Sequence, residues 1–87
     1  MEDIVYCLRD RYMSLTDDPL ISGMFDALTW NVKVWPVDKT NRWIGFIQGV
    51  LYSKGLIEID VERGFTRPLF HRYYKENMID IPESVKV

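Results

Sequence analysis

The chain has 87 residues, 47% of them hydrophobic and 28% charged, with eleven Lys/Arg against thirteen Asp/Glu. That balance argues against wholesale disorder and fits one small domain. A net charge of −2 disfavours a generically basic nucleic-acid binder, a single Cys excludes an intramolecular disulfide, and one His with one Cys cannot complete a usual four-ligand zinc site.

The first apolar pattern predicts a helix over residues 3–13. Ile4, Leu8 and Tyr12 recur every four residues, with Val5 and Cys7 beside them, so Cys7 is expected in the core. Thr16-Asp17-Asp18-Pro19 then reads as a turn into a second helix, with Asp as cap and Pro at the first helical position. That helix is expected over residues 19–32. Leu20, Met24, Leu28 and Val32 form its apolar row, and Ile21, Phe25 and Trp35 form an adjoining strip.

Pro36 pushes Trp35 out of helical conformation. Asp38 is the expected cap of a third helix over residues 39–54, whose broad stripe combines Trp43, Phe46 and Val50 with Ile47 and Leu51. Gly45 and Gly49 lie on that helix, where each costs about 1 kcal/mol relative to Ala. Close approach of another helix, or of a ligand backbone, would offset the cost. Gly55 is placed as the residue that ends the helix.

Residues 56–59 alternate weakly and read as a connector without a strand partner. Asp60 is the expected cap of a fourth helix over residues 61–75, and Pro68 is expected to break or kink it near Thr66 and Arg67. Residues 79–87, with Pro82, read as a fraying tail. The prediction is an all-α single domain: three main helices plus a Pro-broken fourth, with short connections that favour antiparallel neighbours.

Chemistry-bearing constellations are few. Cys7 and His71 are 64 positions apart in sequence with no orienting group spaced to join them, so no catalytic residue is assigned and the chain is expected to be no enzyme. Asp17 and Asp18 lack further ligands at metal spacing, and no Gly-rich phosphate loop is present, so no metal or cofactor is expected.

Two surface readings remain. Twelve aromatics, each bringing ~150–250 Å², are hard to bury in a domain that hides only about 60% of its unfolded surface. Tyr6, Trp30, Trp35, Tyr52, Phe70, Tyr73 and Tyr74 supply candidates for the surface. Trp30, Trp35, Tyr52, Phe70, Tyr73 and Tyr74 are the candidate interface for a homo-oligomer or a protein partner. The charge is also uneven: residues 1–38 hold seven acids and three bases, and residues 39–76 hold seven bases and four acids. Arg42, Arg63, Arg67, His71 and Arg72, with Asn41, Trp43 and Thr66 nearby, could receive a nucleotide or another anion. Pairing of the arginines with Glu58, Asp60 and Glu62 is the alternative. Nucleic acid is an unlikely partner on net charge.

The run Asn41-Arg42-Trp43-Ile44-Gly45-Phe46-Ile47-Gln48-Gly49-Val50-Leu51, then Gly55, Glu62-Arg63 and Thr66-Arg67-Pro68, resembles a segment of small uncharacterised proteins of tailed bacteriophages. Those proteins often read Arg-Trp-(Leu/Ile)-Gly-Phe-(Ile/Val)-Gln-Gly. The resemblance covers residues 41–68 and brings no assigned activity. It implies a small accessory protein of an infected bacterial cytoplasm, acting by binding a host protein or a nucleotide. The sequence on its own also points to the reducing cytosol: no apolar stretch nears the ~20 residues of a membrane span, and the acidic start is no signal-peptide n-region.

Overall fold

A computed structural model describes residues 1–77, and the tail expected over residues 79–87 lies outside them. Four helices follow in chain order: α1 (Glu2–Met13), α2 (Pro19–Asn31), α3 (Val37–Ser53) and α4 (Ile59–Glu76). No strand occurs among the described residues, which gives the expected all-α class.

Local chemistry sets several helix ends. The Asp18 carboxylate accepts the Leu20 N–H at 2.9 Å, and Pro19 opens α2, where its missing N–H costs nothing. Gly55 has φ +73°. This left-handed residue lets the Leu56 N–H reach back to the Leu51 carbonyl at 3.0 Å and close α3. At the start of α3 the Pro36 carbonyl receives the Lys39 and Thr40 N–H groups. Asp38 therefore sits inside the first turn rather than capping it. Likewise α4 begins at Ile59, with Glu58 at the cap position and no side-chain cap bond, so Asp60 is a first-turn acid.

Pro68 lies inside α4 and the helix continues through it. The expected break does not occur. Proline removes a single N–H bond to the residue four before it, Gly64. Thr66 on one side of it and Phe70 and Tyr74 on the other are all buried, and together they hold the two halves of α4 in one line of packing.

The chain forms two compact units, one spanning Met1–Ile47 and one starting at Gln48. In the first, α1 packs on α2. Val5, Leu8 and Tyr12 supply the α1 side, and Ile21, Phe25, Leu28 and Val32 supply the α2 side. The Tyr12 and Phe25 rings lie 6.2 Å apart at 41°. Ile44 and Ile47 complete the buried apolar set of this unit. In the second unit Leu51, Phe70 and Tyr74 are buried together with three polar side chains, Gln48, Glu62 and Thr66. Thr66 Oγ1 donates to the Glu62 carbonyl at 3.0 Å and accepts from Gln48 Nε2 at 3.4 Å. Thr66 is thus an interior link, not part of an open anion site.

Three apolar assignments change. Cys7 is exposed, because it stands two residues from the buried Val5 and i,i+2 neighbours leave a helix on different sides. Leu20 is exposed, and Ile21 and Phe25 take the core instead. A strict four-residue repeat drifts about 40° per step around a helix of 3.6 residues per turn, so the row from Leu20 to Val32 enters the core only at Leu28. On α3 the stripe is Ile44, Ile47 and Leu51, with Thr40 and Gln48, while Phe46 is 60% exposed.

Gly45 and Gly49 are exposed, and a Cβ added at either would meet nothing within 4 Å. No helix or backbone approaches them among the described residues, so their cost is not offset there. Gly45→Ala and Gly49→Ala are each expected to raise the unfolding free energy by roughly 0.5–1 kcal/mol, read from urea midpoints. Thr40 is fully buried and its hydroxyl has no partner among the described residues. Thr40→Val keeps the shape and removes the orphaned group, and the same assay should show a gain of about 1 kcal/mol or more.

Candidate functional site

Helical geometry decides which aromatics reach solvent. Trp30 stands nine residues after the buried Ile21, two and a half turns on, so it leaves α2 opposite the core. It is 87% exposed, and Val34, four residues later, is 79% exposed. Gly23 and Asp26, both exposed, share this side of α2. Covering a Trp side chain of ~150–250 Å² at ~25 cal/mol per Å² is worth about 4–6 kcal/mol. Trp30 with Val34 is therefore an unspent apolar contact of the kind that anchors protein interfaces.

The other candidate aromatics divide. Tyr52 is 55% exposed on α3. Trp35 is half-buried, its ring 4.8 Å from that of Trp43 and covered by Lys39 Nζ at 4.3 Å from the ring centroid. That stack of Trp35, Lys39 and Trp43 secures the corner between α2 and α3. Tyr73 is half-buried, with its ring edge-on to Tyr74 at 6.5 Å. Phe70 and Tyr74 are 1% and 0% exposed and leave the interface set: they fall four apart on the inward side of α4. Two exposed aromatics missing from that set are Phe46 and Tyr6. Each stands two residues or fewer from a buried neighbour on its helix, a spacing that turns it outward.

The cation cluster is brought together in part. Arg63, Arg67 and His71 follow one another at four-residue spacing along one side of α4, with Gly64 and Lys75 beside them. Arg72 lies two and a half turns from Arg63 and leaves α4 on the other side. Arg42 belongs to α3 in the Met1–Ile47 unit. Arg63, Arg67, Arg72 and Lys75 form no ion pair among the described residues, where the Lys33–Glu2 contact at 3.4 Å joins two exposed groups. Local pairing with Glu58, Asp60 and Glu62 therefore does not account for Arg63 or Arg67. The acids Asp3, Asp10, Asp17 and Asp26 are likewise exposed and outside any ion pair described.

Among the described residues no three His, Cys, Asp or Glu side chains gather to hold a metal ion, and no helix is long and apolar enough to cross a membrane. Comparison with family models, curated proteins and solved structures finds no match for the chain.

Because Arg63 is exposed and makes no ion pair among the described residues, its contribution to folding is small. Arg63→Ala is expected to change the unfolding free energy by under about 0.5 kcal/mol, measured by urea denaturation. A larger loss would show that the side chain is structural.

Proposed function

We propose that this chain is a small non-enzymatic interaction protein that binds a protein surface through outward aromatics, with Trp30 at the centre of the contact. The observation that carries this reading is the exposure of Trp30, on the side of α2 away from its core, with the exposed Val34 in the turn that follows the helix. A soluble helical domain has no structural use for a Trp in that position. Large apolar side chains left uncovered in this way are the usual mark of a partner surface, and Trp is among the residues most enriched where binding energy concentrates.

The likeness of residues 41–68 to the segment found in small tailed-bacteriophage proteins supports a more specific setting. In it the chain is an accessory factor of an infected bacterial cytoplasm, and the surface it covers belongs to a host protein or to another copy of itself. A second reading, binding of a nucleotide or other anion, draws support from Arg63 and Arg67, which share one side of α4 and stand outside any ion pair described.

The experiment is affinity capture from bacterial lysate with the full chain as bait, beside Trp30→Ala and Trp30→Ala/Val34→Ala. The native chain is expected to retain a protein, or a second copy of itself, at fixed stoichiometry. Trp30→Ala should lose it at least tenfold, the effect of about 1.4 kcal/mol, with an unchanged melting temperature. Retention of the same partner by both variants would overturn the assignment to this surface. Anion binding is tested separately by titrating ATP into the native chain and into Arg67→Ala.

A further inference from the structure

The two compact units carry uncovered charge of opposite sign, each on a helix face of defined register. On α1, Asp3, Tyr6, Cys7 and Asp10 are all exposed. Their spacing of three, four and seven places them on one side, opposite the buried Val5, Leu8 and Tyr12. Asp3 and Asp10 are separated by about 10 Å along the axis at 1.5 Å per residue. On α4, Arg63 is exposed, Arg67 and His71 follow it at four-residue spacing and are half-buried, and Gly64 in their midst leaves the backbone uncovered. Arg63 and Arg67 are about 6 Å apart by the same rise. Neither the two aspartates nor the two arginines take part in an ion pair among the described residues.

We infer that the α1 face Asp3–Tyr6–Asp10 of one copy docks on the α4 face Arg63–Gly64–Arg67 of a second copy of this chain. Four physical points favour this occupant. The charges are complementary in sign. Tyr6 stands between the acids, where its ring can meet an Arg guanidinium by cation–π contact. Gly64 lets the partner helix approach without a side chain in the way. A polyanion is a poorer fit, because the whole chain carries a net charge of −2 and repels nucleic acid at long range. The surface is distinct from that of Trp30 and Val34, so it goes beyond the reading above and fails independently of it.

The contact joins different patches of the two copies, so a single docking event leaves one acidic and one basic face available for the next copy. Electrostatic complementarity of this kind acts mainly through orientation and association rate, and it weakens as salt shortens the screening length.

The test is sedimentation velocity of the full chain, with a crosslinking experiment beside it. Self-association is expected in roughly 0.02 M NaCl and its loss in roughly 0.5 M, as the Debye length falls from about 20 Å to about 4 Å. Arg63→Glu/Arg67→Glu and Asp3→Lys/Asp10→Lys should each be monomeric at low salt, and mixing the two should restore association. Cys7 is the chain's one cysteine and lies within the acidic face, so it serves as a native probe. With Gly64→Cys, mild oxidation at low salt should yield disulfide-linked species between copies. With Gly23→Cys on the outer side of α2 it should not. The Gly64 variant adds a side chain into open space, so this arm does not depend on the charge-reversed chains folding. A native chain that is monomeric at low salt overturns the inference. So does self-association that both charge reversals leave intact, or crosslinking that is equal from positions 23 and 64. Dependence on Trp30→Ala with indifference to charge reversal would overturn it while supporting the aromatic surface.

Discussion

The arrangement turns on α3, which commits one side to the interior for three turns: Thr40, Ile44, Ile47, Gln48 and Leu51 are all buried. Backbone rungs fix the angle between successive residues, so that commitment sends Arg42, Gly45, Phe46, Gly49 and Tyr52 outward together. Ile44 and Ile47 serve the Met1–Ile47 unit, and Gln48 and Leu51 serve the second unit. One helix thus supplies buried residues to both. The two units bury different chemistry. The first encloses Tyr12, Phe25 and branched aliphatics, with Thr40 as its buried polar residue. The second encloses Gln48, Glu62 and Thr66, where each polar atom needs a partner to offset its loss of water.

Features set by local chemistry were legible in the sequence. The Asp18–Pro19 start of α2 and the Gly55 end of α3 depend on a few neighbouring backbone groups, and both occur where the residues indicate. The choice of face was less legible, for a geometric reason. On α3 the sets Trp43, Phe46, Val50 and Ile44, Ile47, Leu51 have identical spacing and lie one residue apart. Periodicity alone assigns them equal claim to the core, and only packing separates them. The same ambiguity moved Leu20 outward and Ile21 inward on α2. Cys7 has the hydrophobic character of a core residue, but its angle to Val5 turns it to solvent. Pro68 does not interrupt α4: its missing hydrogen bond and crowded ring cost about 3 kcal/mol, which the burial of Phe70 and Tyr74 offsets.

The candidate surfaces were legible only as composition. An excess of aromatics implied that some face water, and angles around α2 pick out Trp30, whereas Phe70 and Tyr74 required the register of α4. The uneven charge was visible as blocks of sequence. That Arg63 and Arg67 share a side while Arg72 does not is a matter of helical phase. None of these features is a motif. They are positions where helix geometry turns a costly side chain toward solvent, and their meaning rests on what would cover them.

The bare positions on the outer side of α3 have a consequence for how the helix opens. In an α-helix the Gly49 N–H bonds to the Gly45 carbonyl, and here neither end of that rung carries a side chain. Water therefore reaches the bond directly, while the amides of Ile47 and Gln48, on the buried side, are shielded by the core. Amide hydrogen exchange at Gly49 can proceed through a local excursion of one rung, whereas exchange at Ile47 requires the packing around it to open. The helix is thus weakest along a single line of its surface, and it breathes there while its inner side stays closed.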